Sequence, residues 1–450
     1  MMVCFSSLAL PDICEETNPE KIMKQLKKGG LGRLLLLLGL MTFFTLGLQA
    51  APMFARKYKI SCTVCHSAFP KLNDFGKEFM ANNYRLLNWR ESTIDAGDTR
   101  LAIPDTVPIA FRLQGFVQAR DGESVDIVTG ETAKAETDFQ APYLIKMLSS
   151  APLSEHITYY FYAIYAEKGS NGEVIVEDAW FSYDDLFGSG VGMMLGQFQV
   201  SDLMFPREVR LTFQDYMAYR MAGITYERGV ILQRGVGPVE IALGIVNGNG
   251  ISENVTINSP GYRRPDHMFD NDSGKAVFGR LGSGFGPVSG GLFYYAGSQK
   301  NATGAAGTGT GQRDTDKQIA GVDLSGTFAG DFTWYGQLLW NEWDGFIDKG
   351  TKYRWIGGFA GIDYVPGEQW SFSLLYNYAD GSDFDDTDTV YEGIDINSLT
   401  LNASYYFMLN VKGVIELNAD FLEKEEQSGV YYTGHLSREN YILLGFDAAF

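Results

Sequence analysis

The sequence predicts an all-β chain: an antiparallel barrel of about sixteen strands, preceded by a small helical segment. Three observations carry this: period-two alternation from residue 108 to the last residue, links that alternate short and long, and a final strand ending on an aromatic. In 109–120, Ile109, Phe111, Leu113, Val117 and Ala119 alternate with Arg112, Gln114, Gln118 and Arg120. In 398–406, Leu399, Leu401, Ala403 and Tyr405 alternate with Ser398, Thr400, Asn402 and Ser404. A soluble sandwich alternates too, so period alone does not place the strands in lipid.

The links decide it. Candidate strands lie near 108–120, 138–150, 156–168, 174–185, 191–199, 220–228, 237–246, 275–282, 288–297, 317–327, 331–342, 353–364, 369–379, 396–407, 410–422 and 438–450. Short connections (151–155, 186–190, 328–330, 366–368, 408–409) alternate with long ones (121–137, 200–219, 247–274, 298–316, 343–352, 380–395, 423–437), and 169–173 is the weak member. Short turns at one end, long loops at the other and an even strand number are what a transmembrane barrel requires. Lipid offers an edge strand no hydrogen-bond partner, so the sheet must close. In the last strand Ile442, Leu444, Phe446, Ala448 and Phe450 form an outward apolar stripe, and 25 Tyr, 30 Phe and 7 Trp supply interfacial girdles.

Ahead of the barrel, residues 1–50 read as a leader. Lys24, Lys27, Lys28 and Arg33 precede an apolar run from Leu34 to Leu48, and Ala50 and Ala51 offer a cleavage site. The run is short for a retained anchor and ends in small rather than basic residues. Met23 opens a conventional signal and is the expected start, which leaves Cys4 and Cys14 outside the mature chain.

Residues 51–100 contain Cys62-Thr63-Val64-Cys65-His66. This is C-x-x-C-H, in which two thiols add to the vinyl groups of one haem c and the histidine becomes the proximal iron ligand. A zinc site would need a second ligand pair, and a thioredoxin-type pair would need a βαβ setting. Covalent haem is attached outside the bacterial cytoplasm, in agreement with the export signal. Phe69, Leu72, Phe75, Phe79 and Tyr84 recur at helical spacing with Pro70 placed to start the helix, and a packed helix face against the haem edge accounts for them. Fifty residues make too small a core to bury a macrocycle, so the segment must dock on another surface. Residues 101–107 link it to the barrel, 108–450.

The sixth iron position stays open at this stage. Met80, fourteen residues after His66, ranks ahead of Met53, and a thioether ligand would raise the potential. An open or water-bound position is the alternative. His156 falls at a short turn, while His267 and His435 fall in long loops, where a solvated histidine is the simpler reading. Loop 200–219 is the third long-side connection and is placed to fold into the bore, lined or pinned by Arg207, Glu208, Arg210 and Asp215; a charged loop at the outer rim fits equally. Asp380, Asp383, Asp385, Asp386 and Asp388 form a run with the oxygen donors hard cations prefer, though such runs are more often solvated loop. Loop 301–312, rich in Gly, Thr and Ala, carries no assignable chemistry. A net charge of −19 argues against nucleic acid and permits cations or basic redox proteins.

Pro52-Met53-Phe54-Ala55-Arg56-Lys57-Tyr58, Cys62 to His66, and Phe69-Pro70-Lys71-Leu72-Asn73-Asp74-Phe75-Gly76 together resemble the fused monohaem cytochrome–porins of the bacterial outer membrane. The iron-oxidising outer-membrane cytochromes are the best-known members. The likeness is dense over residues 51–85 and looser through Glu177-Asp178-Ala179-Trp180, Gly196-Gln197-Phe198 and Phe205-Pro206-Arg207-Glu208. It implies haem on Cys62, Cys65 and His66, Fe(II) as an extracellular electron donor, and a periplasmic cytochrome or other redox carrier as acceptor. The apolar band of such a barrel is about 25 Å tall, so a haem docked in the lumen near the periplasmic mouth is the expected arrangement. The alternative is a diffusion porin whose haem segment is a structural plug or sensor. Whether the chain is an oxidoreductase turns on the donor, which the residues do not name.

Overall fold

The computed structural model describes residues 53–68, 71–87, 97–98, 101, 103–121, 123–125, 132–134, 137–166, 174–206, 213–248, 274–301, 313–348, 350–385, 395–422 and 440–450. The leader, Cys4, Cys14, Phe69, Pro70, His267, His435, Arg207, Glu208, Arg210, Asp386, Asp388 and loop 302–312 lie outside the described residues.

Before the barrel come helices α1 (Met53–Tyr58) and α2 (Asp74–Ala81). Sixteen strands then close on themselves. They are β1 (Ile109–Arg120), β2 (Thr137–Pro152), β3 (Ile157–Ala166), β4 (Val174–Tyr183), β5 (Gly192–Gln199), β6 (Tyr226–Val236), β7 (Val239–Val246) and β8 (Ala276–Phe285). The second half comprises β9 (Val288–Asn301), β10 (Arg313–Phe328), β11 (Phe332–Asp344), β12 (Lys352–Tyr364), β13 (Trp370–Asp380), β14 (Ile396–Met408), β15 (Val411–Asp420) and β16 (Tyr441–Ala449). Each strand pairs antiparallel with its sequence neighbours, and β16 returns to β1 from Tyr441↔Arg120 to Ala449↔Arg112. Closure leaves no edge strand, as lipid demands.

The burial pattern excludes a soluble sandwich. On β15, Lys412, Val414, Glu416 and Asn418 are buried, whereas Ile415 and Leu417 are 47% and 41% exposed. On β14, Thr400 and Asn402 point inward and Leu401 is 50% exposed. Polar groups inside and apolar groups outside make an inverted surface that only a nonpolar surrounding stabilises. The inward polar groups satisfy one another: Thr400 Oγ1 donates to Asn418 Oδ1 (2.7 Å) and Asn402 Nδ2 donates to Glu416 Oε2 (2.7 Å). Rings from neighbouring strands meet around the short-turn rim, with Phe328–Phe332, Phe332–Tyr364 and Trp370–Tyr405 centroids 4.8, 4.4 and 4.8 Å apart. They form one arc of the expected girdle.

The expected strand near 220–228 is corrected by the structure. Residues Met217–Ala222 form helix α3, Gly223 reverses the chain at φ 61°, and β6 begins at Tyr226. The helix is apolar almost all round because it lies inside the bore, where wall and loop surround it. Loop 121–137 also holds a hairpin, Glu123–Val125 with Thr132–Lys134, which the sequence did not indicate.

The described residues of the connection from β5 to β6, 200–206 and 213–225, lie in the lumen, the first of the two readings of loop 200–219. Its backbone is held by the far wall: Gln214 N donates to Glu416 Oε1 (2.7 Å) and Met217 N to Asn377 Oδ1 (3.2 Å). Tyr219 OH donates to Gln337 Oε1 (2.9 Å), and Tyr216 stacks on Phe359 at 4.1 Å. Asp215 is buried, ion-paired with Arg220, and its carbonyl accepts from Asn377 Nδ2 (3.1 Å). Around the loop lies an apolar cluster that includes Phe205, Met217, Tyr335, Trp343, Trp355 and Phe359. The mid-bore is therefore packed with protein at these residues.

Replacing Leu401, outward and central on β14, by Arg should lower unfolding stability by about 2–4 kcal/mol, the cost of a guanidinium near the bilayer midplane. Urea titration in lipid checks it, with Thr400→Ala as the inward-facing comparison.

Candidate functional site

The segment ahead of the barrel is built by short-range capping. Ser61 caps a 3-10 turn, Cys62–Val64, its Oγ accepting from Thr63 N. A two-strand ladder joins His66–Ala68 to Lys71–Leu72. Asn73 then does three things at once. Its Oδ1 accepts from Gly76 N (2.8 Å), capping α2, while its Nδ2 donates to the carbonyls of Thr63 (3.2 Å) and Val64 (3.1 Å). Its own N–H donates to Cys65 O (2.9 Å). The helix start is thereby tied to the C-x-x-C-H turn. At Gly76 any Cβ would collide with the Cys65 carbonyl, so glycine is what lets α2 approach. The expectation that Pro70 starts the helix gives way to this Asn73 cap, whose side chain satisfies an orphan amide that proline cannot.

Phe54, Tyr58, Phe79 and Tyr84 form a small aromatic core, with Phe54–Phe79 and Phe54–Tyr84 centroids 5.1 and 5.3 Å apart. Phe75, expected in that stripe, is 42% exposed and lies outside it. The core leans on the barrel: Tyr84 meets Tyr160 of β3 at 5.9 Å and Trp180 of β4 at 6.0 Å.

Hydrogen bonds stitch the segment to two walls. On one side Thr158 Oγ1 (β3) donates to Asn83 O (2.9 Å), Ser182 Oγ (β4) donates to Asn83 Oδ1, and Arg85 pairs with Asp184. On the other, Lys71 Nζ donates to Asp363 Oδ2 of β12 (2.6 Å), with Ser373 Oγ of β13 on the second oxygen (2.5 Å). Strands β4 and β12 stand eight apart in the ring of sixteen. The segment therefore spans the bore, at the end carrying the short turns 153–156 and 365–369. Sequence reasoning missed Lys71, Asp363, Asn83 and the Asn73 cap; an Asn just before the helix and a Gly within it are the signals that could have found the cap and the close approach.

Between segment and wall is a cavity of about 310 Å³, lined by Cys62, Cys65, His66, Met53, Met80 and residues of β1 to β4. That volume lies at the lower end of the ~300–1,000 Å³ typical of ligand sites. The donor set fits a c-type haem: two thiols, an imidazole and thioethers from two helices converge on one largely apolar space. Bound there, the haem would supply one-electron chemistry, attached by Cys62 and Cys65 and ligated by His66. Burial holds both thiols above their ordinary range, so they stay neutral in the protein without cofactor. Both Met80 and Met53 reach the cavity.

His156 does not line it. Its Nδ1 is 2.8 Å from Asp184 Oδ1 and its ring stacks on Tyr183, so it belongs to the rim. The described part of the acidic run serves turns: Asp383 Oδ2 accepts from Arg354 N (2.9 Å) and Asp380 Oδ1 from Ser382 N (3.3 Å). Among the described residues no cluster of three or more His, Cys, Asp or Glu could hold a metal ion.

The barrel is of the outer-membrane porin type. It resembles the anion-selective porin of Comamonas acidovorans at 13% identity, covering 77% of this chain and 99% of that one with a TM-score of 0.52. OmpF of Salmonella typhi, solved in complex with daunomycin, resembles it at 12% identity, with 76% and 97% covered and a TM-score of 0.51. At these identities the likeness is one of fold. No protein-family model and no curated protein matches the chain.

Substituting Lys71 by Met should weaken docking strongly, because Asp363 would remain buried without its cation. Breaking such a pair costs about 3–5 kcal/mol. Limited proteolysis of the folded barrel should then release residues 53–87 faster, and adding Asp363→Leu should recover much of the loss.

Proposed function

We propose that this chain is an outer-membrane cytochrome–porin. It carries electrons between an extracellular donor, Fe(II), and a periplasmic carrier by means of one covalent haem c. The observation that carries the reading is the convergence of Cys62, Cys65, His66 and Met80 on one cavity at the short-turn end of the bore. In barrels of this type short turns face the periplasm, which supports a haem segment on that side, within reach of a periplasmic partner. Fe(II) rests on the resemblance of residues 51–85, together with chemistry: Fe(III) precipitates at neutral pH, so oxidation is best completed outside. Met80 is proposed as the sixth ligand, with Met53 as its rival.

A second reading is a diffusion porin in which the segment is only a plug or sensor. The fold likeness to porins favours this reading over the redox one. Against it stands the apolar packing of loop 200–225 in the mid-bore, where a diffusion channel keeps a polar, water-filled lumen.

Two measurements separate them. The purified protein should keep haem through denaturing electrophoresis, and Fe(II) outside proteoliposomes should reduce a cytochrome enclosed within. A Cys62→Ala, Cys65→Ala variant that inserts normally and still supports that transfer would sink the conduit. In planar bilayers the wild type should conduct poorly, and Tyr216→Ala with Tyr219→Ala should raise conductance severalfold. High wild-type conductance with no bound haem would establish the porin.

A further inference from the structure

We propose that Arg112 and Lys146 on the barrel wall form the anion-binding side of the haem cavity and take the cofactor's propionate carboxylates. The proposal rests on the haem reading above and adds wall residues to it.

The cavity is lined largely by apolar groups, Met53, Leu72 and Met80 of the docked segment and Phe111, Leu144 and Leu148 of the wall among them. Arg112 of β1 and Lys146 of β2, direct Cα partners across the ladder, are cations in the same lining. Like charges set opposite each other cost a sheet stability, and here both cations border a cavity. Asp447 behind Arg112 offsets part of that cost, and a ligand bringing carboxylates would add to the offset.

Arg112 is held in position from behind. Its Nε donates to Asp447 Oδ1 (2.8 Å) and its second arm to Oδ2, a fork that fixes the guanidinium plane. Gln114 Nε2 (3.2 Å) and Lys412 Nζ (3.9 Å) hold the same carboxylate. Lys146 Nζ lies 5.8 Å from the centre of the Tyr162 ring, whose residue also lines the cavity. The remaining charged lining groups are Arg220 and Asp215, which pair with each other, and Glu177 of β4. A simple anion would leave the apolar lining unused, and a neutral apolar ligand would make no use of the cations. A flat apolar ring system with two carboxylates on one edge uses both, and haem is such a molecule.

The test is the midpoint potential of the haem in the full-length protein, measured by spectroelectrochemical titration. A cation beside the propionates disfavours the more positive oxidised iron, so Lys146→Gln should lower the potential, and Lys146→Glu should lower it further. The expected change is up to tenfold in the oxidised-to-reduced ratio, which for one electron is about 59 mV. Lys146→Arg should restore the wild-type value, and Lys352→Gln, on the opposite rim, should leave it unchanged. Lys146 is preferred to Arg112 as the test position because Arg112 also anchors Asp447. Lys146→Met is measured alongside, so that one variant failing to assemble does not decide the outcome. Full haem content with an unchanged potential in the Gln, Met and Glu variants would overturn the proposal. Wild-type protein without covalent haem would instead overturn the reading beneath it, before any variant is made.

Discussion

A sheet immersed in lipid must close, because an unpaired strand edge has no solvent to satisfy its amides. The rest of this molecule depends on that constraint. Closing sixteen strands turns the usual protein inside out, with Leu401, Ile415 and Leu417 facing outward and Thr400, Glu416 and Asn418 facing a lumen. Wall side chains cannot fill a ring of that size, which by itself leaves a water channel. The chain fills it with its own backbone. Residues 200–206 and 213–225 pack the middle, and the described residues of the segment, 53–68 and 71–87, close the short-turn end.

The segment ahead of the barrel shows why such filling serves both partners. Four aromatic rings and two short helices are too little core to stand alone. Docked in the bore, they gain Tyr160 and Trp180 as packing surface, and the wall supplies part of a cavity that the segment cannot enclose. The Lys71–Asp363 pair is a buried ion pair, and pairs of that kind contribute less to stability than to the uniqueness of a docking arrangement. Here it holds one side of the segment while Asn83 and Arg85 hold the other, so tilt and depth are set from opposite walls.

Most of the barrel was legible because it is written in nearest neighbours. Alternation every second residue and loop lengths reflect local backbone geometry, and every strand but β6 was found within a few residues; β6, expected near 220–228, runs over Tyr226–Val236. There, Met217 to Ala222 are apolar at nearly every position, and an apolar run has the same appearance whether it is a strand in lipid or a helix in a packed lumen. Phe75 was misplaced because the helix runs only over Asp74–Ala81 behind its Asn73 cap, so Leu72 precedes it and the expected stripe does not run along one helix face. Cys62, Cys65 and His66, the side chains proposed to hold haem, were legible because C-x-x-C-H needs its groups within five residues.

The wall of the site was hidden. Lys71 meets Asp363 across 292 positions, and Arg112 meets Asp447 across 335. No spacing rule links residues that far apart, since their meeting depends on the number of strands, the register of each ladder and the closure of β16 on β1. The chain's local chemistry thus carries the C-x-x-C-H motif and the membrane-facing pattern of the strands. Which charges line the cavity beside that motif, and whether the bore is filled, follow from long-range closure, because only a finished ring brings its opposite walls to bear on one short segment.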